Sequence, residues 1–333
     1  MAAMAIKATT RRIPGRRRPY PALMQTPDVH TIEDLKTWAA AGRAAIDPKP
    51  ILAVIGKPVA HSLSPQLHQA ALDQFGIEGQ YIRIEIEPGA VRQAFDLMAG
   101  LGFTGCNVTV PHKVEALQAV DEADTLAQRI GAVNTVLFQD DLKLGFNSDG
   151  PGLVRAIREE FSVDLKDLRV MVLGAGGGAG RAAAVQCALE NCERVVLVNR
   201  TTDKATDLAA ELRTMLHGTP VLGPRSRIQA LPLDPRKIEA QLDALDLVIN
   251  ATSVGLKPTD PPLLPAAILQ PHLLVYDLIY KPARTRLLRD AAAAGCRGAN
   301  GLSMLLHQGV VSFGHWFGDE PDPNPMRQAL MDA

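Results

Sequence analysis

The amino-acid sequence predicts an α/β protein made of two open, doubly wound halves. Short β-rich runs alternate with helical stretches from Ile51 onward, and a glycine-rich turn stands between a strand and a helix in the second half. Of the 333 residues, 47% are hydrophobic and 21% charged, which is sufficient for two domains with full cores. Strands separated by helices of this length favour parallel pairing with right-handed crossovers.

The first half has a βαβα pattern. Strands are predicted at 51–55 and 81–86, helices at 65–75 and 90–99, and a further strand passes through Asn107. Beyond residue 133 the pattern changes, because two extended runs flank Asp140 and Asp141, which is typical of a hairpin. A helix is predicted after residues 145–150, and we place the domain boundary at residue 150.

The segment 107–113, Asn-Val-Thr-Val-Pro-His-Lys, predicts a reactive lysine at the end of a buried strand. Val108 and Val110 alternate with Asn107 and Thr109, so one face of this strand should be apolar and the other polar. Proline then ends the strand and opens a helix near Lys113. Ligands of open α/β folds bind at such strand-to-helix corners, and a partly desolvated ammonium there suits proton transfer. The alternative is an ordinary solvated lysine.

The second half begins with a nucleotide-binding pattern. A predicted strand at 169–173 leads into the turn 174–180, Gly-Ala-Gly-Gly-Gly-Ala-Gly, and an alanine-rich helix, with the next strand at 194–198. Such a turn directs backbone amides and a helix N-terminus at one point, where a pyrophosphate binds; the alternative is a purely structural turn. The candidate ligands in the turn are Gly174, Gly176, Gly177, Gly178 and Ala179.

The end of the 194–198 strand favours NADP over NAD. An NAD site usually has a carboxylate there, but this chain has Asn199, Arg200 and Thr201, with Lys204 close behind. An arginine can pair with a 2′-phosphate and stack on adenine. Further strands are predicted at 246–250 and 273–277, and the turns after them, which contain Thr252 and Leu278, should line the cofactor cleft.

Composition argues for a small-molecule partner. The formal net charge of -1 provides no basic field for nucleic acid or for a membrane surface, and no apolar run is long enough to span a bilayer. The cysteines form no CxxC pair and no Cys/His cluster, so we expect reduced thiols, no metal site and a cytoplasmic protein. They are Cys106, Cys187, Cys192 and Cys296.

The N-terminal segment is basic. It carries no acidic residue before position 28 and contains Lys7, Arg11, Arg12, Arg16, Arg17 and Arg18. A transit peptide or a tail for anionic surfaces is one interpretation. The segment lacks the serines of the former and the apolar core of a secretory signal, so we interpret residues 1–46 as a flexible extension.

Several separated motifs resemble the shikimate dehydrogenase (shikimate/quinate dehydrogenase) family, over residues 51–317. Residues 56–65, Gly-Lys-Pro-Val-Ala-His-Ser-Leu-Ser-Pro, are similar to the family's substrate loop, which implies that Ser62 and Ser64 bind the substrate carboxylate. Ser64 could also cap the helix that opens at Pro65, and both roles can coexist.

The resemblance also assigns the catalytic and ring-binding residues. Segment 107–113 matches the family's most diagnostic motif, which implies that Thr109 contacts substrate and that Lys113 is catalytic. Residues 131–135 and 146–150 match two more motifs, which implies that Asn134 and Asp149 contact the ring hydroxyls, with Asp149 paired to Lys113.

In the last third, the resemblance implies that Tyr280 lies near the substrate and the nicotinamide, and that Gly301 lies beside the nicotinamide. It also implies that Gln308 reaches the ring hydroxyls. Met304 falls in the same motif, but an apolar residue on a helix of this kind is more often part of the core.

The family assignment implies an N-terminal open α/β substrate domain and a C-terminal Rossmann-type doubly wound NADP-binding domain. The substrate domain would span 47–150, completed by a C-terminal helix at 302–330, and the NADP-binding domain would span 151–301. The implied activity is reversible NADPH-dependent reduction of 3-dehydroshikimate to shikimate, in aromatic amino acid biosynthesis, by a monomer or homodimer.

The chain departs from the family pattern in its basic N-terminus, its longer glycine turn, and Gln69, which replaces an asparagine after the serine loop. Three alternatives remain open. These are an NAD-linked quinate dehydrogenase of quinate catabolism, a non-catalytic NADP-binding sensor, and a folate-type dehydrogenase, whose shared architecture does not explain the paired serines.

Overall fold

The computed structural model describes residues 29–217 and 226–333, and within them two β-sheets are each flanked by helices. The predicted α/β class with two open sheets is confirmed. None of the helices in the described part is long and apolar enough to cross a membrane.

The first sheet has the strand order β1-β3-β2-β4-β6-β7-β5. Its strands are β1 (Val29–Thr31), β2 (Pro50–Gly56), β3 (Gln80–Glu85), β4 (Gly105–Val108), β5 (Glu122–Ala123), β6 (Thr135–Gln139) and β7 (Leu142–Phe146). The accompanying helices are α1 (Ile32–Ala40), α2 (Ser64–Phe75), α3 (Val91–Gly100), α4 (Lys113–Ala119) and α5 (Thr125–Ile130). Strands β2, β3 and β4 pair in parallel, as the βαβα pattern predicts, and β1 also pairs in parallel with β3. Strand β6 is antiparallel to both β4 and β7.

The hairpin between β6 and β7 is present. Asp140 and Asp141 form its two-residue turn with φ values of 51° and 63°. Two consecutive positive φ angles match the turn type whose twist suits a tight hairpin, and aspartate tolerates this conformation better than most residues do.

The beginning of the described chain differs from the predicted extension over 1–46. Strand β1 pairs in parallel with β3, and α1 buries Leu35 and Trp38 in the core of the first sheet. These two residues are three positions apart and therefore share one face of the helix. Residues 29–40 are thus part of the folded unit. The arginine-rich segment lies outside the described residues.

Strand β4 is shorter than the sequence predicts. It ends at Val108, where its pairing with β2 stops, and the chain then turns so that the His112 amide donates to the Thr109 carbonyl. Val110 is 67% exposed, so the prediction that it continues the buried apolar face is wrong. Helix α4 begins at Lys113, as Pro111 indicates.

The second sheet is entirely parallel, with the order β10-β9-β8-β11-β12-β13. Its elements are α6 (Asp149–Phe161), β8 (Arg169–Leu173), α7 (Gly178–Leu189), β9 (Arg194–Asn199), α8 (Thr202–Leu212), β10 (Ile228–Pro232), α9 (Pro235–Leu242), β11 (Leu247–Asn250), β12 (Leu274–Asp277), α10 (Arg286–Ala293) and β13 (Arg297–Asn300). This is the 3-2-1-4-5-6 order of a Rossmann fold. The order in which strands are added to the sheet reverses between β8 and β11, and folds of this kind bind ligands at that point.

The chain then returns to the first sheet. The helix predicted at 302–330 is two helices, α11 (Leu302–Phe317) and α12 (Pro323–Met331). They are separated at Gly318, whose φ of 84° is a helix-ending conformation that favours glycine. Helix α11 packs on α2 and α6, and the Trp316 indole donates to the Val136 carbonyl at 2.9 Å. This contact connects the end of the chain to β6.

Candidate active site

A cleft of about 400 Å³ opens where the carboxyl edge of the first sheet meets the start of α11. Every residue predicted from the sequence to act in catalysis or substrate binding lines this cleft. These residues are Ser62, Ser64, Thr109, Lys113, Asn134, Asp149, Tyr280 and Gln308. Three of the cofactor candidates, Ala179, Leu278 and Gly301, line the same cleft. The two predicted sites are therefore adjacent.

The polar centre of the cleft is the ion pair between Lys113 and Asp149. The lysine Nζ donates to the aspartate Oδ2 at 2.6 Å, and the two side chains are only 16% and 8% exposed. Lys113 is the first residue of α4, and Asp149 is the first residue of α6. A charge-assisted hydrogen bond of this length holds the ammonium in one position beside any molecule in the cleft.

Asn134 fixes the other carboxylate oxygen. Its Nδ2 donates to Asp149 Oδ1 at 2.8 Å, while its Oδ1 accepts from the Ser148 amide at 2.8 Å. Because a backbone amide can only donate, this contact determines which way the Asn134 amide faces. Each oxygen of Asp149 thus accepts one of these hydrogen bonds, which holds the carboxylate beside Lys113 and leaves lone pairs that can accept from a further donor in the cleft.

Ser62 and Ser64 lie side by side at the start of α2. Their hydroxyl oxygens are 3.1 Å apart, and the Ser64 amide donates to Ser62 Oγ at 3.3 Å. The helix begins at Ser64 itself, and Leu63 in the N-cap position makes no side-chain cap, so the predicted capping role of Ser64 is wrong. Two hydroxyls beside a helix N-terminus are well suited to bind a carboxylate.

Tyr280 and Gln308 close the cleft from the second half of the chain. Burial raises the pKa of the Tyr280 hydroxyl, while a hydrogen bond with the Leu63 backbone and the nearby Arg83 partly oppose this shift. Gln308 Nε2 donates to the Leu305 carbonyl at 2.8 Å, and its Oε1 accepts a long hydrogen bond from Ser148. Met304, for which the sequence favoured a core position, lines the cleft and also packs in the core of the second sheet.

A buried hydroxyl network that the sequence analysis missed lies beneath these residues. Ser312 Oγ is 2.8 Å from Thr135 Oγ1 and 2.9 Å from Ser148 Oγ. It also accepts from Asn107 Nδ2 at 3.1 Å and donates to the Gln308 carbonyl at 2.9 Å. The available signal was a polar residue four positions after Gln308, on the same face of an otherwise apolar helix.

The glycine turn fits a pyrophosphate. Helix α7 begins at Gly178 after Gly177, with no side-chain cap and no acidic residue in its first turn. The first amides of the helix therefore lack side-chain partners, and a Cβ added at Gly178 would meet open space. A Cβ at Gly180 would lie 2.1 Å from the Gly174 carbonyl oxygen, so the tight turn requires glycine there.

The remaining cofactor candidates surround this turn. A Cβ at Gly176 would lie 2.8 Å from Asn199 Nδ2 and 3.0 Å from Lys204 Cβ, and one at Gly174 would lie 2.8 Å from Thr252 Cγ2. The turn after β8, the end of β9 and the turn after β11 thus come together at the point where the strand order reverses.

The end of β9 presents cations. Asn199 Nδ2 donates to the Thr201 carbonyl at 2.9 Å, Arg200 is exposed, and Lys204 follows on α8. Arg200 makes no ion pair with any residue in the described ranges. These residues fit a dinucleotide that carries an additional phosphate on its adenosine ribose.

A Rossmann sheet with this turn, beside a cleft that holds a lysine–aspartate pair, defines a two-domain oxidoreductase that uses a nicotinamide dinucleotide. Three family models match the chain: the shikimate dehydrogenase substrate binding domain at residues 54–136, shikimate / quinate 5-dehydrogenase at 155–256, and the shikimate 5'-dehydrogenase C-terminal domain at 301–331. The chain belongs to the shikimate dehydrogenase family, which confirms the resemblance read from its motifs.

Individual relatives are similar to this chain over most of their length. The shikimate dehydrogenase (NADP(+)) of Methanopyrus kandleri is 41% identical over 288 residues, which cover 85% of this chain and 95% of the relative. A crystal structure of a shikimate dehydrogenase in complex with NADP+ superposes with a TM-score of 0.77 and 36% identity, covering 87% of this chain and 98% of the other. A Thermus thermophilus enzyme in complex with NADP(H) and shikimate has a TM-score of 0.73 and 38% identity, covering 84% and 98%.

Proposed function

We propose that this protein catalyses the reversible NADPH-dependent reduction of 3-dehydroshikimate to shikimate, the reaction of aromatic amino acid biosynthesis. The observation that carries the proposal is the Lys113–Asp149 pair, which lies in one cleft with the paired serines and with residues that border the nicotinamide side. A proton donor, an anion site and a hydride-donor site are thus adjacent, as reduction of a ring ketone in a carboxylic acid requires.

The chain's own residues orient the substrate and move a proton. Ser62 and Ser64 hold the carboxylate, and Thr109, Asn134, Asp149 and Gln308 contact the ring hydroxyls so that the ketone lies beside Lys113. When bound, NADPH supplies the hydride that reduces the carbonyl carbon. The Lys113 ammonium donates its proton to the carbonyl oxygen, which becomes the new hydroxyl, and solvent restores the proton; oxidation of shikimate reverses these steps.

Arg200 and Lys204 support NADP as the cofactor. The end of β9 carries no carboxylate that could bind the ribose hydroxyls of NAD, and the 2′-phosphate of NADP would find two cations there. Gly174, Gly176, Gly177, Gly178 and Ala179 would hold the pyrophosphate. Thr252, Leu278 and Gly301 would border the nicotinamide half.

The domain division and the cellular setting belong to the same proposal. The first sheet with α11 would form the substrate domain, and the second sheet the NADP domain. All four cysteines are free and buried, which supports a reducing, cytoplasmic setting. The protein would act on a small molecule as a monomer or homodimer, without nucleic acid or membrane.

The direct test is nicotinamide absorbance with purified protein, with shikimate and quinate each assayed against NADP and NAD. Rapid reduction of NADP with shikimate is the expected result. Reduction of NAD with quinate would replace the proposal by the catabolic alternative. Absence of turnover in all four combinations, with NADP still bound, would support the sensor.

A further inference from the structure

Arg83 is a buried cation for which the described residues provide no carboxylate partner. It lies on β3, is 3% exposed, and forms no ion pair in residues 29–217 and 226–333. In the sheet register it sits opposite Val54 of β2, which lines the substrate cleft. The charged side chain lies on the strand among the buried residues Tyr81, Ile82 and Ile84, and burial of a charge without a counter-ion is unfavourable.

The Arg83 guanidinium hydrogen bonds to the serine loop, which is the segment 56–65. Its Nε and Nη2 both donate to the Ser62 carbonyl, at 3.0 and 2.5 Å, and Nη2 also donates to Gln66 Oε1 at 3.1 Å. Both contacts are neutral acceptors, so they satisfy N–H donors but do not balance the charge. The cation is thus attached to the backbone of one of the two serines that face the cleft.

Its position next to the cleft is supported from a second direction. Arg83 lies near Tyr280, which lines the cleft and hydrogen bonds with the Leu63 backbone between the two serines. A carboxylate held by the Ser62 and Ser64 hydroxyls would therefore lie within the field of this guanidinium, with the Ser62 backbone between them. In a buried environment of low dielectric constant, such an interaction acts over several ångströms.

We propose that Arg83 is a positioning residue for the carboxylate subsite, supplying the counter-charge of the substrate carboxylate while it holds the Ser62 backbone in place. The proposal rests on the proposed function, because it takes a ring carboxylate as the occupant of the subsite. It makes Arg83 a determinant of specificity: the enzyme should favour a ring acid over an uncharged ring of the same shape.

The test compares shikimate with its uncharged methyl ester for the wild type and for Arg83→Met. We expect Arg83→Met to raise the KM for shikimate about ten-fold, equivalent to about 1.4 kcal/mol, with a much smaller change for the ester. The ratio of kcat/KM for acid to that for ester should fall by the same factor, while the KM for NADP stays near its wild-type value. Arg83→Lys, which keeps the charge, should retain most of this ratio.

Gln66→Leu is the matched control, because it removes a hydrogen bond from Arg83 and leaves the charge in place. Gln66→Leu should change kcat/KM for the acid and kcat/KM for the ester by the same factor. If Arg83→Met also lowers both by the same factor, Arg83 only supports the loop and the proposal is overturned. Should Arg83→Met fail to fold, a loss of the acid-to-ester ratio in Arg83→Lys would overturn it instead. Wild-type turnover of shikimate with NADP tests the enzyme assignment separately.

Discussion

Lys113 Nζ and Asp149 Oδ2 are 2.6 Å apart, although the two residues are 36 positions apart in the sequence. Each residue begins a helix, and the two helices start at the same side of the first sheet. The pair is mostly buried and is completed by the Asn134 amide on the second carboxylate oxygen. Lys113 is therefore the side chain whose replacement tests the chemistry most directly.

Replacing Lys113 with alanine should lower kcat by about 100-fold or more, because positioned proton transfer contributes on that scale. The fold should survive, since the side chain lies at the wall of an open cleft. Steady-state turnover with shikimate and NADP measures the loss, and circular dichroism measures folding. Lys166→Ala, at an exposed lysine that does not line the cleft, is the control. Near-wild-type turnover of the Lys113 variant would exclude a catalytic role.

Replacing Arg200 with alanine should raise the KM for NADP by about ten-fold or more and change the KM for NAD little. The reason is that a charge-assisted hydrogen bond to the 2′-phosphate exists only with NADP. Initial rates with each cofactor provide the comparison, and Arg213→Ala, exposed beyond the end of α8, serves as the control. Equal changes for both cofactors would remove the proposed role of Arg200.

Replacing Ser312 with alanine should raise the KM for shikimate more than the KM for NADP. The change leaves Asn107, Thr135 and Ser148 with an unmade buried hydrogen bond, at a cost of about 1–3 kcal/mol in the free energy of unfolding. It also weakens the buried hydrogen-bond network that supports Asn134 and Gln308.

Ser303→Ala provides the matched control for Ser312. Ser303 is a buried serine of the same helix that does not line the cleft, and its hydroxyl lies 2.9 Å from the Tyr276 hydroxyl. It should lower the free energy of unfolding and leave the KM for shikimate unchanged. Identical kinetic effects of both variants would show that Ser312 acts only through stability.

His68 should make the protein sensitive to acid. Burial lowers the pKa of His68 to about 3, with Asn107 partly opposing the shift, and neither ring nitrogen makes a hydrogen bond of normal geometry in the described structure. The unfolded chain binds a proton at this histidine below about pH 6.5, whereas the folded chain does not until about pH 3. The contribution of His68 to the free energy of unfolding is therefore fully present above about pH 6.5 and decreases as the pH falls below that value.

His68→Phe keeps the ring that stacks on Tyr81 and removes the titration. Chemical denaturation at pH 7 and pH 5 should show that the wild type loses about 2 kcal/mol more than the variant, at about 1.4 kcal/mol per pH unit below 6.5. Equal losses in the two proteins would mean that His68 is not the source of the acid sensitivity.

The second sheet was largely predictable because its signals are local. An apolar run, a glycine turn and an alanine-rich helix follow one another in β8 and α7, and each follows from residues within a few positions of one another. Strand β1 was missed because three residues carry almost no periodic signal and become a strand only by pairing with β3. Val110 was misassigned because the pairing between β2 and β4 ends two residues before it.

Local patterns in the sequence are enough to predict most strands, turns and helices and the polar residues at their ends. Which of these residues come into contact follows from the packing of the folded chain. Arg83 reaches the Ser62 carbonyl, and Ser312 reaches Asn107 across 205 positions of sequence. Periodicity and turn chemistry reflect backbone preferences over a few residues, whereas a side chain's partners depend on how elements from distant parts of the chain pack together.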